Sequence, residues 1–423
     1  MIFTGYEGPL QLLKYEAVQK AYEGYPVPES IEEQINQLDS EKDAMNFEAV
    51  DIIYKKLDLL PKDSAFEYIQ PNDLQTIREQ RPNGPRKLGS LTESELLNKL
   101  HGAWIGRAVG CALGKPVEGM GIAGQQGMTG RKAIHTYLQN RKDWPLSDYI
   151  SGYDTGDGLH IKCPQSQREN IAFMEPDDDI HYTLIALKVL ETYGADFTWR
   201  DVATTWNTSL PYYAICTAEA QAIMNFNNAV PRKAASNWVT SEYTSTHRNP
   251  YREWIGAQIR ADGWGYACAG HPEMAAEFAY RDACWTHRAN GIYGEMMFAA
   301  VIAAAFFVSD PYDLIEIGLS EIPRGCRLAE ACQSALVQIP KCDDFEAYMD
   351  WVEKHYGDLH AVHTVNNALV VIGSLVFGNT DFHRSICRSV EAGWDTDCNG
   401  ATCGSIVGAL AGSNHLTSPL VAP

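Results

Sequence analysis

An all-α fold is what this sequence predicts, and three observations predict it. From Leu91 onward, apolar residues recur mostly at helical spacing, with few convincing alternating stretches. Glycines fall every fourth residue in two separate rows, Gly102-Gly106-Gly110-Gly114 and Gly400-Gly404-Gly408-Gly412. The composition, 45% hydrophobic, 10% aromatic and 21% charged over 423 residues, is that of a soluble globular chain. It excludes a disordered, collagen-like or disulfide-scaffold protein. The length fits one large domain, or one domain with an appendage.

The elements follow in chain order. The stretch to about Arg86 is charged and glycine-poor, and Gln80 to Pro85 reads as a linker or sharp turn. Ser30 to Leu38 and Asn46 to Leu57 have helical periodicity. Ser30 with Glu33 three residues on predicts a capping box. Residues 1–90 are therefore expected to be an N-terminal helical extension packed on a main body of residues 91–423, without a chemical cluster of its own. Thr92 to Glu95 opens the next helix, with Leu96, Leu97 and Leu100 on its apolar side. Each glycine in a helix interior costs about 1 kcal/mol relative to alanine. Four in register on one face therefore imply that another backbone comes close enough to compensate. The apolar run Met296 to Val308 is too short to span a bilayer and reads as a buried core helix, with Ala299 to Ala305 packing between neighbours. No repeat of fixed period occurs, so a compact bundle is expected rather than a solenoid.

Charge narrows the partners. Thirty-four basic against 54 acidic residues give a net charge of −20. Such a chain is a poor match for nucleic acid or an anionic membrane, and neither is expected as a partner. Divalent cations suit it. Met1 to Leu10 has no basic n-region or apolar h-region. The eleven cysteines contain no Cys-x-x-Cys pair and read as small buried hydrophobes in a reducing compartment. A cytoplasmic location is expected.

Two acidic segments carry the chemistry. In Glu175-Pro176-Asp177-Asp178-Asp179-Ile180-His181, three aspartates precede the helical stripe Ile180, Leu184, Leu187, Leu190. One aspartate would serve as an N-cap and complement the helix dipole. Three repel one another and are costly to bury without a cation. In Gly393-Trp394-Asp395-Thr396-Asp397-Cys398-Asn399-Gly400, acidic residues again stand before a small-residue helix. The Asp-x-Asp spacing begins like a calcium loop, but the glycine and distal glutamate of an EF-hand are missing. Two such entrances together favour a shared oxygen-ligand site for Mg²⁺, Mn²⁺ or Ca²⁺. His360 and His363, with His355 nearby, are a weaker zinc candidate lacking a matching third ligand. Glu118 follows Gly114-Lys115-Pro116-Val117 and by itself reads as a loop carboxylate. No phosphate loop ending in Gly-Lys-Ser/Thr and no Gly-x-Ser-x-Gly elbow occurs.

Residues 95–412 resemble the ADP-ribosylglycohydrolase family, in four segments of agreeing order and spacing. Gly106 to Gly119 resembles its opening glycine-rich helix and glutamate. Asp177-Asp178-Asp179 resembles its first metal motif. Cys284-Trp285-Thr286-His287-Arg288-Ala289-Asn290-Gly291-Ile292-Tyr293-Gly294 resembles its central loop and helix, and Gly393 to Thr402 its second metal motif. The first ninety residues lie outside the resemblance.

The resemblance implies an all-α hydrolase whose cleft holds two divalent ions, Mg²⁺ or Mn²⁺, with a single ion or Ca²⁺ as the alternatives. It implies Asp177, Asp178, Asp179, Asp395 and Asp397 as the acidic metal-site residues, and Glu118 and Asp178 as the catalytic ones. His287, Asn290, Gly291 and Tyr293 would shape the substrate pocket, with backbone N–H groups near phosphate. Bond cleavage at the anomeric carbon of a ribose is expected, with a small-molecule or ADP-ribosylated protein substrate. The alternatives are a glycosidase on another nucleoside or sugar conjugate, and a non-catalytic ADP-ribose binder. Two positions depart from the family pattern: Asp177 and Cys398 stand where threonine is common. Thiol sulfur is a poor ligand for Mg²⁺.

Overall fold

A computed structural model of the chain describes residues 6–40, 46–229 and 238–422. Among the described residues the regular elements are helices. There is no strand, only isolated bridges between Gln125 and Met128 and between Trp254 and His363. No helix among them is long and apolar enough to cross a membrane.

The two glycine rows are partners. Thr92 caps the helix Glu93–Gly114 and closes a capping box with Glu95. This helix runs antiparallel to Thr396–Ala411, with Gly102 against Gly408, Gly106 against Gly404 and Gly110 against Gly400. A Cβ on Gly110 would collide with the carbonyl oxygen of Gly400, and one on Gly106 with that of Gly404. Backbone contact therefore replaces side-chain interdigitation along the whole seam. This explains one departure. Leu97, expected on the apolar side, is 58% exposed, because the glycine face and not a leucine stripe sets the buried side. Leu96 and Leu100 pack half-buried at the edge.

The apolar run forms the central helix Asn290–Ala305, in which every residue is buried. Around it pack the helices Ala261–Ala267, Pro272–Ala283, Pro311–Leu319 and Thr364–Phe377.

The N-terminal region forms the helices Pro9–Tyr22, Glu29–Ser40 and Phe47–Asp58, around a small core of Leu13, Ile31, Ile35, Val50, Ile53 and Leu57. Ser30 does not cap. The second helix already includes Glu29, and the Pro28 carbonyl accepts the Ile31 N–H. The first helix makes a second seam with the main body, placing Leu12 with Ala218, Tyr251 and Trp254. Arg252 reaches back from the body to Glu16 and Glu23. Gln80 to Pro85 is no free linker. Arg81 bridges Glu273 and the fully buried Glu321, and Arg86 joins Glu321 and the Ser320 carbonyl.

Candidate active site

Three helix starts converge on one cleft. The glycine helix ends at Gly114 and passes through a single 3-10 turn, Lys115–Val117, into the helix Glu118–Ala123. Gly114 packs on Thr396, whose hydroxyl donates to the Gly114 carbonyl at 2.8 Å. That bond pins Glu118 next to the second acidic motif. There the chain turns through Gly393 and Trp394, both in the left-handed region with φ 79° and 56°. A tryptophan at positive φ is strained backbone of the kind found at functional sites. The turn is held by Asn367, whose side-chain oxygen accepts from the Asp395 N–H at 3.2 Å and from Asn399 at 2.8 Å. The third start is Asp178–Tyr193, with Asp177 extended before it.

The side chains come together as follows. Glu118, Asp395 and Asp397 offer oxygens within 4.8 Å of one another, and Asp179 and Asp397 oxygens with the Cys398 sulfur form a second set as close. Asp178 lines the same cleft, half-buried, with Glu118, Asp395 and Asp397. Asp395 stands at the N-cap position of its helix but makes no capping bond, so its carboxylate faces the cluster. Asp177 differs. One oxygen caps the Asp179 N–H at 3.0 Å and the other binds Lys115 Nζ at 2.6 Å. Asp177 also approaches Asp179 and Cys111, but both its oxygens are engaged within the protein.

The charge is unbalanced. Glu118, Asp177, Asp178, Asp179, Asp395 and Asp397 are countered by Lys115, by Lys162 acting on Glu118, and by Arg107, a fully buried guanidinium divided between Asp179 at 3.2 Å and Asp262 at 2.7 Å. Burial first, then the neighbouring Asp395 and Asp177, pushes Glu118 up to about 7. Burial and mutual repulsion hold Asp178 and Asp397 well above the usual carboxylate range, and burial alone is the main cause for Asp395. One buried oxygen on Asp179 and one on Asp397 have no hydrogen-bond partner. Orphaned carboxylate oxygens amid like charges are the arrangement that a divalent cation relieves, and the all-oxygen majority suits a hard one. Cys216 donates its thiol to Asp178, and Cys398 lies within hydrogen-bonding reach of Asp395. Burial raises both thiols, so they are neutral donors rather than thiolates.

The cleft is a cavity of about 280 Å³. Its far wall is aromatic. Trp254 meets Tyr251 at 4.7 Å and Tyr15 at 5.5 Å between ring centres, and His360 stacks on it at 3.9 Å. Tyr6 and Tyr15 belong to the N-terminal extension, which therefore supplies part of the cleft. Nothing in the sequence pattern marked them, nor Asn367, Arg107 or Cys216.

His287, Asn290, Gly291 and Tyr293, expected in the pocket, lie outside it. His287 is fully buried against Thr286 at 2.8 Å, and desolvation holds its pKa well below the ordinary value. Asn290 binds Glu253 and Gln70, and the Tyr293 hydroxyl donates to the Pro71 carbonyl. A Cβ on Gly291 would press on the Arg252 carbonyl. Chain from the N-terminal ninety residues and Glu253 has sealed this segment inside. The histidines do not form a zinc site: His363 accepts from the Val365 N–H, His360 stacks on Trp254, and His355 bonds the Trp351 carbonyl.

A helical frame with buried carboxylates gathered at one cleft is an arrangement that can hold a metal ion, and the family match gives the enzyme class, a hydrolase of the glycosylase kind. The sequence matches the ADP-ribosylglycohydrolase family over residues 92–423, and the chain belongs to that family. Its members are typically metal-dependent, and the buried acidic clusters here can hold a metal ion. Among solved structures, an "ADP-ribosylglycohydrolase-related protein complex" is similar at 17% identity, covering 78% of this chain and 92% of that one with a TM-score of 0.48. No curated protein matches the chain.

Proposed function

We propose that this chain is a divalent-metal-dependent glycohydrolase cleaving an N- or O-glycosidic bond at the anomeric carbon of a ribose. The observation that carries the reading is the meeting of Glu118, Asp178, Asp395 and Asp397 at one cavity, with buried oxygens of Asp179 and Asp397 left without partners. Asp178, Asp179, Asp395 and Asp397 would hold the cation, Mg²⁺ or Mn²⁺, with two ions as the fuller arrangement. Asp177 instead orders the helix start through its cap and Lys115. A bound divalent cation supplies charge neutralisation and Lewis acidity toward sugar hydroxyls and water.

The chain's own groups do the rest. Glu118 sits at the rim, where it can orient a water and accept its proton. The water oxygen forms the new bond to the anomeric carbon as the bond to the leaving atom breaks. The leaving group keeps the electron pair. The water proton passes through Glu118 to that atom or, where it departs neutral, to solvent. The acidic floor favours the positive charge that develops on the sugar ring.

The test is turnover by metal-stripped protein, with and without Mg²⁺ or Mn²⁺, of ADP-ribosyl-arginine, ADP-ribosyl-serine and plain ribosides. Release of free sugar should require the ion and fall about a hundred- to ten-thousand-fold in Glu118→Ala. Turnover that survives chelation, or is unchanged in Glu118→Ala, would contradict the reading.

A further inference from the structure

We infer that a cavity between the N-terminal extension and the main body is a second ligand site, and that it takes a nucleoside phosphate, with the phosphate on Arg288, Lys55 and Lys62 and the base on the neighbouring tyrosine rings. The inference goes beyond the glycohydrolase reading and does not depend on it.

The space measures about 640 Å³, inside the range of small-molecule sites, roughly 300–1,000 Å³. The extension contributes Lys20, Tyr54 and Lys55 to its wall, and the body contributes Tyr243, Arg248 and Arg288. Among the described residues it shares no lining side chain with the catalytic cleft. The two spaces are nonetheless neighbours. Glu16 and Arg252 line this one, while the adjacent residues Tyr15 and Tyr251 line the cleft.

Most charges on the wall already have partners. Arg252 pairs with Glu16 and Glu23, Arg248 with Asp51, and Lys20 with Asp58 at 3.4 Å. Three cations are left, Lys55, Lys62 and Arg288, against one further carboxylate, Glu242. The Glu242 side chain is 73% exposed and comes no closer to Arg288 than 3.9 Å. The Arg288 side chain is only 15% exposed, and its guanidinium makes no hydrogen bond to any described residue. A guanidinium has five N–H donors and stays charged, so sheltering it from water without an acceptor is costly, and an anion in the cavity removes that cost. The Tyr54 hydroxyl, buried at the same wall with the Arg248 guanidinium over its ring, also has no partner.

The backbone holds Arg288 at this wall. Its N–H donates to the Arg252 carbonyl at 2.9 Å. The next residue, Ala289, stands at φ 42°, and its N–H donates to Asn72 Oδ1 at 2.7 Å. A left-handed alanine is strained backbone of the kind that gathers at ligand clamps. Arg288 and Ala289 are thus the members of the central segment that reach a cavity, while its histidine, asparagine and tyrosine are sealed inside.

The unpaired cations match a phosphate better than a carboxylate. A phosphate ester carries about 1.5 to 2 negative charges at neutral pH and offers three acceptor oxygens. A guanidinium can grip two of them side by side. Ring faces for a base line the same space: Tyr25, and Tyr243 stacked on His247 at 4.9 Å between centres. Lys62 lies 5.9 Å from the Tyr25 ring centre, which sets a cation beside a ring platform.

Calorimetry on the full-length, metal-stripped protein tests this, with AMP and ADP against adenosine and inorganic tripolyphosphate. Without cations the catalytic carboxylates repel phosphate, so binding reports the second cavity. AMP and ADP should each bind at one site, at least about ten-fold tighter than adenosine or tripolyphosphate. Arg288→Gln should weaken ADP at least about ten-fold, and Lys62→Gln, at an exposed position where folding is not at stake, several-fold. Asp395→Ala should leave ADP affinity within about two-fold, because the phosphate does not enter the catalytic cleft. Five results would each overturn the inference: ADP affinity unchanged in both Arg288→Gln and Lys62→Gln, affinity altered more than two-fold in Asp395→Ala, adenosine as tight as ADP, tripolyphosphate as tight as ADP, or no nucleotide binding.

Discussion

The two acidic helix entrances look alike in sequence, yet their carboxylates are differently committed. At the first, Asp177 caps its helix and pairs with Lys115, and Asp179 is tied to the buried Arg107. At the second, Asp395 makes no cap and meets only Asp397 and Cys398, while Asp397, like Asp179, keeps an oxygen with no partner. The first entrance is thus half structural scaffold, and the second is largely uncommitted. The lesson is that an acidic run before a helix has two possible uses, and that local partners decide which residue has which.

Substitutions should separate the two uses. The largest effect expected is in Asp395→Ala, which removes metal-dependent turnover altogether while urea unfolding stays within about 1 kcal/mol of wild type or improves, since a repelled buried charge is gone. Retained turnover there would erase the distinction. Arg107→Met should act in the opposite way. It strands Asp179 and Asp262 in the interior and should cost about 3–5 kcal/mol of stability, read from the denaturant midpoint. Lys115→Met should be milder, about 1–3 kcal/mol, because Asp177 keeps its capping bond when its cation is lost. The smallest change expected is in Cys398→Thr, which returns a hydroxyl oxygen to the second entrance. Calorimetry should show Mg²⁺ binding up to about ten-fold tighter, with stability little altered.

Much of this arrangement was legible beforehand because it is local or periodic. The rows Gly102 to Gly114 and Gly400 to Gly412 announced a close backbone contact, and they meet each other. Both acidic runs stood before helical stripes, and they share one cleft. What could not be read was which distant group each residue meets. Lys115 lies 62 positions from its partner Asp177, and Gln19 lies 234 from Glu253. The central segment of His287, Asn290, Gly291 and Tyr293 lies outside the cavity lining for the same reason. Its polar groups are satisfied by Gln70, Pro71 and Glu253, contacts that no spacing rule contains. The extension's aromatic side chains at the cleft were likewise invisible, since Tyr6 and Tyr15 acquire meaning only beside Trp254 and the acidic floor.

The central claim is that the uncommitted carboxylates at the two entrances bind a divalent cation. Calorimetric titration of Mg²⁺ and Mn²⁺ into metal-stripped protein tests it most directly, with wild type beside Asp395→Ala. Saturable binding in wild type that disappears in the variant is the predicted result. Equal binding by both proteins, or none by wild type, would contradict it.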